Sequence, residues 1–508
     1  MTWRGLSIFG LLLIGLGVAM LAPAGMSLYL ADLSAAGAFG ICALIAIVSG
    51  GLLTLAQYRS PARSETAAEF GTLLAFFVLA PAFAAAPISF ISPLLTYEAA
   101  YFEMVSTFTT TGATVFDRLG DVHPAIHLWR GLTAWTGGFV ALVMAFALLA
   151  PRNLGGFEVR GDQGRSGAVG RLTGTPDWAG GRDREASADR IASAIRMVLP
   201  IYAALTLGLA LILAAFGLAP LNAAVTAMGV LSTSGIKADD ESAFAAGGPG
   251  AEVVAAIFLV FAVTRRTYGA AGQGALNWNL MRKDAELRIL AVIALAATAW
   301  LFLRHFIGAL ELDDAGGFSL EALWGAFFTV LSFATTTGYE STYWGDARAW
   351  SGLDNPSLIL FGLVLIGGGI ATTAGGVKLL RAYALFNHGV REMERLVRPS
   401  SIAGSGARKR GLRREGAQIA WIFVMLYLVA LAAVMLALSI FGLAFEDALA
   451  AAIAALSNTG PVFTAVTDDG SWLTSLTPEA RGVAAVGMVL GRVELLALIA
   501  MLNPDNWR

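Results

Sequence analysis

Apolar residues gather in long runs along this chain, and ten of the runs approach the roughly 20 residues a helix needs to cross about 30 Å of hydrocarbon. They lie near residues 5–30, 36–56, 70–88, 124–150, 192–216, 248–264, 287–309, 354–380, 416–442 and 478–501. The first run is too long for a signal peptide, lacks a small-residue cleavage pattern and is followed at once by a second, so it is read as a helix. Arginine-rich connections separate several runs: Arg59 to Arg63, the segment 151–190, the cluster Arg265, Arg266, Arg282, Lys283 and Arg288, and the stretch 391–414, where eight basic residues face only Glu392 and Glu394. The positive-inside rule puts these in the cytoplasm. An even number of crossings then puts both termini there too.

Four shorter, semi-apolar segments remain on the opposite side, after the third, fifth, seventh and ninth runs. Each ends in a small-polar cluster around a glycine: Thr109-Thr110-Thr111-Gly112-Ala113-Thr114, Ser232-Thr233-Ser234-Gly235-Ile236, Thr335-Thr336-Thr337-Gly338-Tyr339 and Ser457-Asn458-Thr459-Gly460-Pro461. The glycines stand 123, 103 and 122 residues apart. That is a fourfold internal repeat of helix, re-entrant segment, helix.

Composition agrees with a membrane protein: 57% of the 508 residues are hydrophobic and 14% charged, against roughly a quarter charged in soluble domains. Net charge near zero leaves no basic excess for nucleic acid. One cysteine, Cys42, cannot form an internal disulfide, and with four histidines it offers no zinc cluster. No phosphate-binding glycine loop is present, so no nucleotide cofactor is expected in this chain.

A helix that enters the membrane and stops halfway leaves non-helical backbone at depth, tolerated only where protein or water satisfies it. Backbone carbonyls in an extended turn can ligand a dehydrated ion without a trapping charge, and glycine permits the turn. Any one such cluster is an ordinary helix end. Four in matching places point to a pore.

With its four clusters, Leu128-Trp129-Arg130, Trp135-Thr136-Gly137-Gly138, Lys283-Asp284-Ala285-Glu286-Leu287-Arg288, the GGGIATTAGGVK of 367–378 and Gly491-Arg492-Val493-Glu494, the chain resembles the Trk/Ktr/HKT superfamily of potassium transporters. Within it, the likeness is to the bacterial Trk-type (TrkH-like) pore-forming subunit and covers nearly the whole chain. The resemblance implies an all-α polytopic membrane protein with four helix, pore-helix, helix repeats around a pseudo-fourfold pore. The expected division is two extra N-terminal helices at 1–66, repeat 1 at 67–152, a cytoplasmic loop at 153–190, repeat 2 at 191–285, repeat 3 at 286–382, a basic cytoplasmic loop at 383–415 and repeat 4 at 416–508. It implies potassium uptake across the bacterial cytoplasmic membrane, with potassium held by Thr110, Thr111 and Gly112, Thr233, Ser234 and Gly235, Thr336, Thr337 and Gly338, and Asn458, Thr459 and Gly460. Glycine at all four positions goes with potassium preference in that family. Ser234-Gly235-Ile236 departs from the usual paired glycines and aromatic, which bears on fine selectivity.

Residues 367–377 interrupt an apolar run with five glycines and two threonines, so a helix break is expected. The resemblance implies an intramembrane gate there, formed by Gly367, Gly368, Gly369, Thr372, Thr373, Gly375 and Gly376; a small-residue packing face is the alternative. Lys378 follows, as a functional residue or as a lysine snorkelling to the interface. Arg492 sits inside a run. The resemblance implies a cationic barrier, and an ion pair with an acid of another repeat is the alternative.

Acids follow each glycine: Asp117 and Asp121, Asp239 and Asp240, Glu340 and Asp346, Asp468 and Asp469. They would concentrate cations at the mouth, diluted by Arg118 and Lys237. The resemblance also implies a homodimer and a cytosolic ring of nucleotide-binding (TrkA-like) regulatory subunits, with 265–288 and 381–415 as docking loops. Other readings are a secondary transporter of sodium or a small solute, which usually shows two inverted halves, and an intramembrane hydrolase, for which no histidine stands mid-span beside a serine.

Overall fold

A computed structural model describes residues 8–56, 65–150, 157, 183–269, 284–311, 320–349, 357–397, 414–465 and 476–494, all of whose regular elements are helical. Outside it lie Arg59 to Arg63, most of 151–182, Arg282 and Lys283, the stretch 398–413, Asp468 and Asp469, and the end of the last apolar run; of Asp346 only the backbone is described.

Two crossings come first. Helices α1 (Ile8–Ala19) and α2 (Leu21–Tyr29) join across Met20 into one span, and α3 (Leu33–Ala56) returns beside it. Their backbones approach closely where Gly10 and Gly17 meet α3. A Cβ on Gly17 would lie 2.7 Å from the Ala43 carbonyl oxygen, so only glycine fits.

A three-helix unit then occurs four times. Its members are α4 (Glu65–Ile91), α5 (Tyr97–Phe108) and α6 (Pro124–Met144); α7 (Asp183–Ala215), α8 (Pro220–Ser232) and α9 (Gly248–Val263); α10 (Ala285–Glu311), α11 (Leu320–Ala334) and α12 (Ser357–Ile366); and, after the intervening α13 (Leu379–Val397), α14 (Arg414–Ile440), α15 (Phe445–Ser457) and α16 (Pro478–Val493). Proline at the first turn starts α6, α8 and α16, where its missing N–H and fixed φ cost nothing. The hydroxyls of Thr96 and Thr477 cap α5 and α16 by accepting the N–H of Ala99 and Ala480.

Burial separates the roles of the helices. Only 28%, 28% and 22% of the most apolar stretch is buried in α7, α10 and α14. Helices so apolar and so exposed are stable only with hydrocarbon around them. The middle helices are the reverse. From Ala99 to Phe108 every residue of α5 but Tyr101 is buried. At 12 to 15 residues each, these helices extend about 18–23 Å at 1.5 Å per residue, too short to cross.

Among the described residues, eight stretches are long and apolar enough to span a membrane. The other two expected crossings differ. The run 354–380 forms α12 only to Ile366, breaks, and resumes as α13 at Leu379; the run 478–501 is described only to Glu494. The expected edges also move: α7 begins at Asp183, inside the segment expected as a loop, and the expected basic loop 383–415 is helical to Val397 because α13 keeps one apolar face.

A buried ion pair fixes the first unit to the second. Glu103 on α5 holds Arg130 Nε of α6 at 2.6 Å, and its other oxygen accepts the Val115 N–H at 2.8 Å. Arg130 Nη1 donates to the Lys237 carbonyl of the second unit at 3.0 Å. Removing one partner strands a buried charge, so Arg130→Met should cost about 3–5 kcal/mol and the double variant with Glu103→Leu distinctly less. Thermal unfolding of the purified protein measures both; equal losses would contradict the pairing.

Candidate functional site

The four middle helices end alike. Thr110, Thr233, Thr336 and Asn458 take left-handed backbone with φ of 56°, 54°, 60° and 52°. In each, the next residue's N–H reaches back five residues: Thr111 to the Ser106 carbonyl (2.8 Å), Ser234 to Gly229 (2.9 Å), Thr337 to Ser332 (2.9 Å) and Thr459 to Ala454 (2.9 Å). This is the Schellman ending, which ordinarily uses glycine at the left-handed position. Here a β-branched threonine holds it three times, at about 1–2 kcal/mol each, while the glycine stands two residues later. Strain repeated at matching sites marks a constrained functional backbone.

The glycines close a ring. A Cβ on Gly112 would overlap the Ser234 carbonyl oxygen; on Gly235, the Thr337 carbonyl oxygen; on Gly338, the Pro461 ring; on Gly460, the backbone of Ala113. Each unit therefore abuts the next in chain order and the fourth returns to the first. Gly112, Gly235 and Gly338 have φ of 75°, 64° and 84°. Gly460 departs from the expected turn: its φ is −57° and it opens the short helix Pro461–Thr464, because Pro461 favours a helical start. Its glycine is needed for close approach, and its N–H donates to the Thr111 carbonyl across the seam. Thr459 O instead accepts the Val462 N–H at 3.3 Å within its own unit.

Hydroxyl pairs stiffen the loops. Thr109 Oγ1 lies 2.8 Å from Thr111 Oγ1, Ser232 Oγ 2.9 Å from Ser234 Oγ, and Thr335 Oγ1 3.1 Å from Thr337 Oγ1. The fourth unit substitutes Thr459 Oγ1 to the Ser457 carbonyl at 3.2 Å. Four helix C-termini thus converge on one ring of uncharged oxygens. Each carries roughly half a negative charge from its dipole, an arrangement that favours a cation.

The segment after α12 folds into a closed loop against this ring. Backbone bonds pin its ends, with Val377 and Lys378 N–H donating to the Leu365 and Ile366 carbonyls at 2.9 Å each. At its tip Thr373 Oγ1 meets Thr233 Oγ1 at 3.1 Å, the Gly375 N–H donates to Thr336 Oγ1 at 2.9 Å, and Gly375 packs on the Ser457 carbonyl with no room for a Cβ. Gly369 faces the Glu286 carboxylate, which accepts the Ile370 N–H at 3.1 Å. The loop therefore touches three of the four strained positions. Thr110 Oγ1 is buried with no hydrogen-bond partner among the described residues.

Arg492 docks on the loop, its Nη1 donating to the Thr373 carbonyl, while Nε and Nη2 are buried without a partner among the described residues. The expected alternative of an ion pair is absent among the described residues; Glu494 pairs instead with Arg381 Nη2 at 3.0 Å, and that guanidinium stacks 3.8 Å from the Phe423 ring. Lys378 is buried, 8% exposed, and its Nζ donates to the Ala374 carbonyl, so it does not snorkel. Lys378, Arg492, Thr372 and Gly375 line a cavity of about 50 Å³, room for a few waters. Its wall includes Ala145 and Leu149, the two ends of a π-helical turn that continues α6.

Among the acids, Asp240 is occupied structurally, accepting the N–H groups of Leu119 at 2.6 Å and Gly120 at 3.2 Å. Residues not singled out in the sequence also serve the ring. Tyr339 OH donates to the Ile236 carbonyl at 2.8 Å across the second seam. Aligning the units on their glycines would have found one: the position nine before, Glu103 or Thr329, accepts the N–H of the residue three after, Val115 or Ser341.

Comparisons with known proteins follow the same architecture. Residues 191–506 match the family model TrkH, described as a cation transport protein. The chain is 28% identical to the Trk system potassium uptake proteins TrkH of Salmonella typhimurium and Escherichia coli, over 99% of this chain and 98% of theirs. It is 27% identical to TrkI of Halomonas elongata over 93% and 90% of the two chains. The crystal structure of the potassium transporter TrkH from Vibrio parahaemolyticus superposes with a TM-score of 0.82 at 24% identity, over the whole of both chains.

Thr336→Val removes the acceptor of the Gly375 N–H. Amide exchange across 367–378 should speed about two- to tenfold, the worth of one hydrogen bond; unchanged exchange, read by mass spectrometry, would contradict the tether.

Proposed function

The chain belongs to the TrkH family of cation transport proteins, and on that premise we propose that it takes up potassium through a single pore at the ring of Gly112, Gly235, Gly338 and Gly460. The observation that carries this reading is the closure of the four loops in chain order, each at the C-terminus of a middle helix. A cation there exchanges water for carbonyl and hydroxyl oxygens of Thr110, Thr111, Thr233, Ser234, Thr336, Thr337, Asn458 and Thr459, with no carboxylate to hold it too tightly. Glycine in all four units supports potassium over sodium by the family resemblance.

The loop from Gly367 to Gly376 is then the gate. It is hydrogen-bonded to the second and third loops and packed against the fourth, so a cation passing the ring meets it next. Arg492, bound to the loop and otherwise without a partner among the described residues, adds positive charge where conduction must pass. Lys378 contributes in the same cavity. The division into 1–66, 67–152, 153–190, 191–285, 286–382, 383–415 and 416–508 serves as the functional map, with the first helix of the second repeat already begun at Asp183 and the basic segment helical to Val397.

This is a multi-pass protein of the bacterial inner membrane, with both termini cytoplasmic by the positive-inside rule. A homodimer with one pore per subunit, and a cytosolic nucleotide-binding ring acting on 265–288 and 381–415, complete the proposal. Support for the second surface is α13, which follows the gate loop directly and leaves Phe386, Met393, Leu396 and Val397 exposed beside basic residues.

Uptake of rubidium into proteoliposomes under an imposed potential tests the reading: potassium should compete and sodium should compete less. Absence of cation flux with the regulatory ring also supplied would overturn it. Gly112→Ser should lower the potassium-to-sodium ratio by about threefold or more, since its side chain meets the Ser234 carbonyl; an unchanged ratio would remove Gly112 from the filter. Arg492→Ala should raise flux about twofold or more, because it removes both a charge and a loop contact. Unchanged flux would leave Arg492 a packing residue.

A further inference from the structure

We propose that Glu252 is a positioning residue that sets cation affinity at the third quarter of the filter, with the transported ion as its missing counter-charge; this rests on reading Gly338 as part of the filter. Glu252 lies on α9 of the second unit and is fully buried. All its partners belong to the third. Oε2 accepts Trp324 Nε1 of α11 and Ser341 Oγ, each at 2.7 Å, and Oε1 accepts the Thr342 N–H at 2.7 Å. Ser341 and Thr342 stand three and four residues after Gly338.

Three donors aimed at two oxygens suit a carboxylate, which only accepts. No lysine, arginine or histidine among the described residues lies within ion-pair distance of it, in contrast to Glu103, which Arg130 neutralises at 2.6 Å. Tethering alone needs no charge here. In the first unit Glu103 accepts the N–H three residues after the glycine; in the third, the hydroxyl of Thr329 takes the same N–H, that of Ser341, at 3.2 Å. The second unit nevertheless supplies a carboxylate to the same segment. A buried, uncompensated charge is costly, and its position behind the outer filter segment makes a cation in the filter the group that offsets it.

The experiment is rubidium uptake by the full chain in proteoliposomes, with half-saturation for rubidium and half-inhibition by barium measured on wild type and Glu252→Gln. Coulomb attraction scales with ion charge. If the charge acts, rubidium half-saturation rises about three- to tenfold and barium half-inhibition rises by roughly the square of that factor. Trp324→Arg is the second variant. It keeps a donor on Oε2 and neutralises the carboxylate, so the same pair of shifts is expected even if Glu252→Gln does not fold. Equal factors for the two ions, or no shift in either variant, would reduce Glu252 to a tether and overturn the proposal. A wild type that carries no rubidium would instead remove the filter reading beneath it.

Discussion

A helix that stops inside a bilayer leaves its last carbonyls with no water to bond, and this protein meets that constraint four times at one place. The Schellman endings satisfy part of each set through backbone N–H groups five residues on. Because the ends converge, their partial negative charges add at one place, an arrangement that favours a cation. The left-handed threonines follow from the same demand: a β-branched residue there stiffens the turn and supplies a hydroxyl, at the expense of local strain that the buried surroundings hold in place.

Symmetry of position does not bring symmetry of chemistry. The seams between units are tied by different groups: Arg130 with Glu103 and the Lys237 carbonyl at the first, Tyr339 and Glu252 at the second, the Gly460 N–H and Thr111 carbonyl at the return. The fourth loop differs most, since Pro461 turns it into helix directly after its glycine. The loop after α12 folds against the ring through Thr373 and Gly375, and α13 continues from it without a break. A force on α13 therefore reaches Thr373 and Gly375 through a pinned loop.

Much of this was legible in the sequence because the constraint is regional. Long apolar runs, short segments between them and a glycine at the end of each required no knowledge of contacts. The break at 367 was legible for the same reason, as five glycines cannot sustain a helix. What was not legible depends on pairs distant in the chain. Glu494 stands two residues from Arg492 and yet pairs with Arg381, 113 residues away in sequence. For Lys378 the sequence left a functional role and a snorkelling one both open, because burial is invisible in a string of letters. Gly460 read like its three counterparts because the backbone effect of the following proline outweighs the repeat. Asp240 looked like a solvated mouth charge and is bound to the backbone of another unit.

The most direct test of the central claim is a structure of the protein in rubidium or thallium, with the ion located by its anomalous signal. The expected result is a site on the ring axis, ligated by oxygens of at least the first three loops at Thr111, Ser234 and Thr337, and its loss when lithium replaces the heavier ion. Heavy-ion density confined to the acidic loops, with none on the axis, would contradict it.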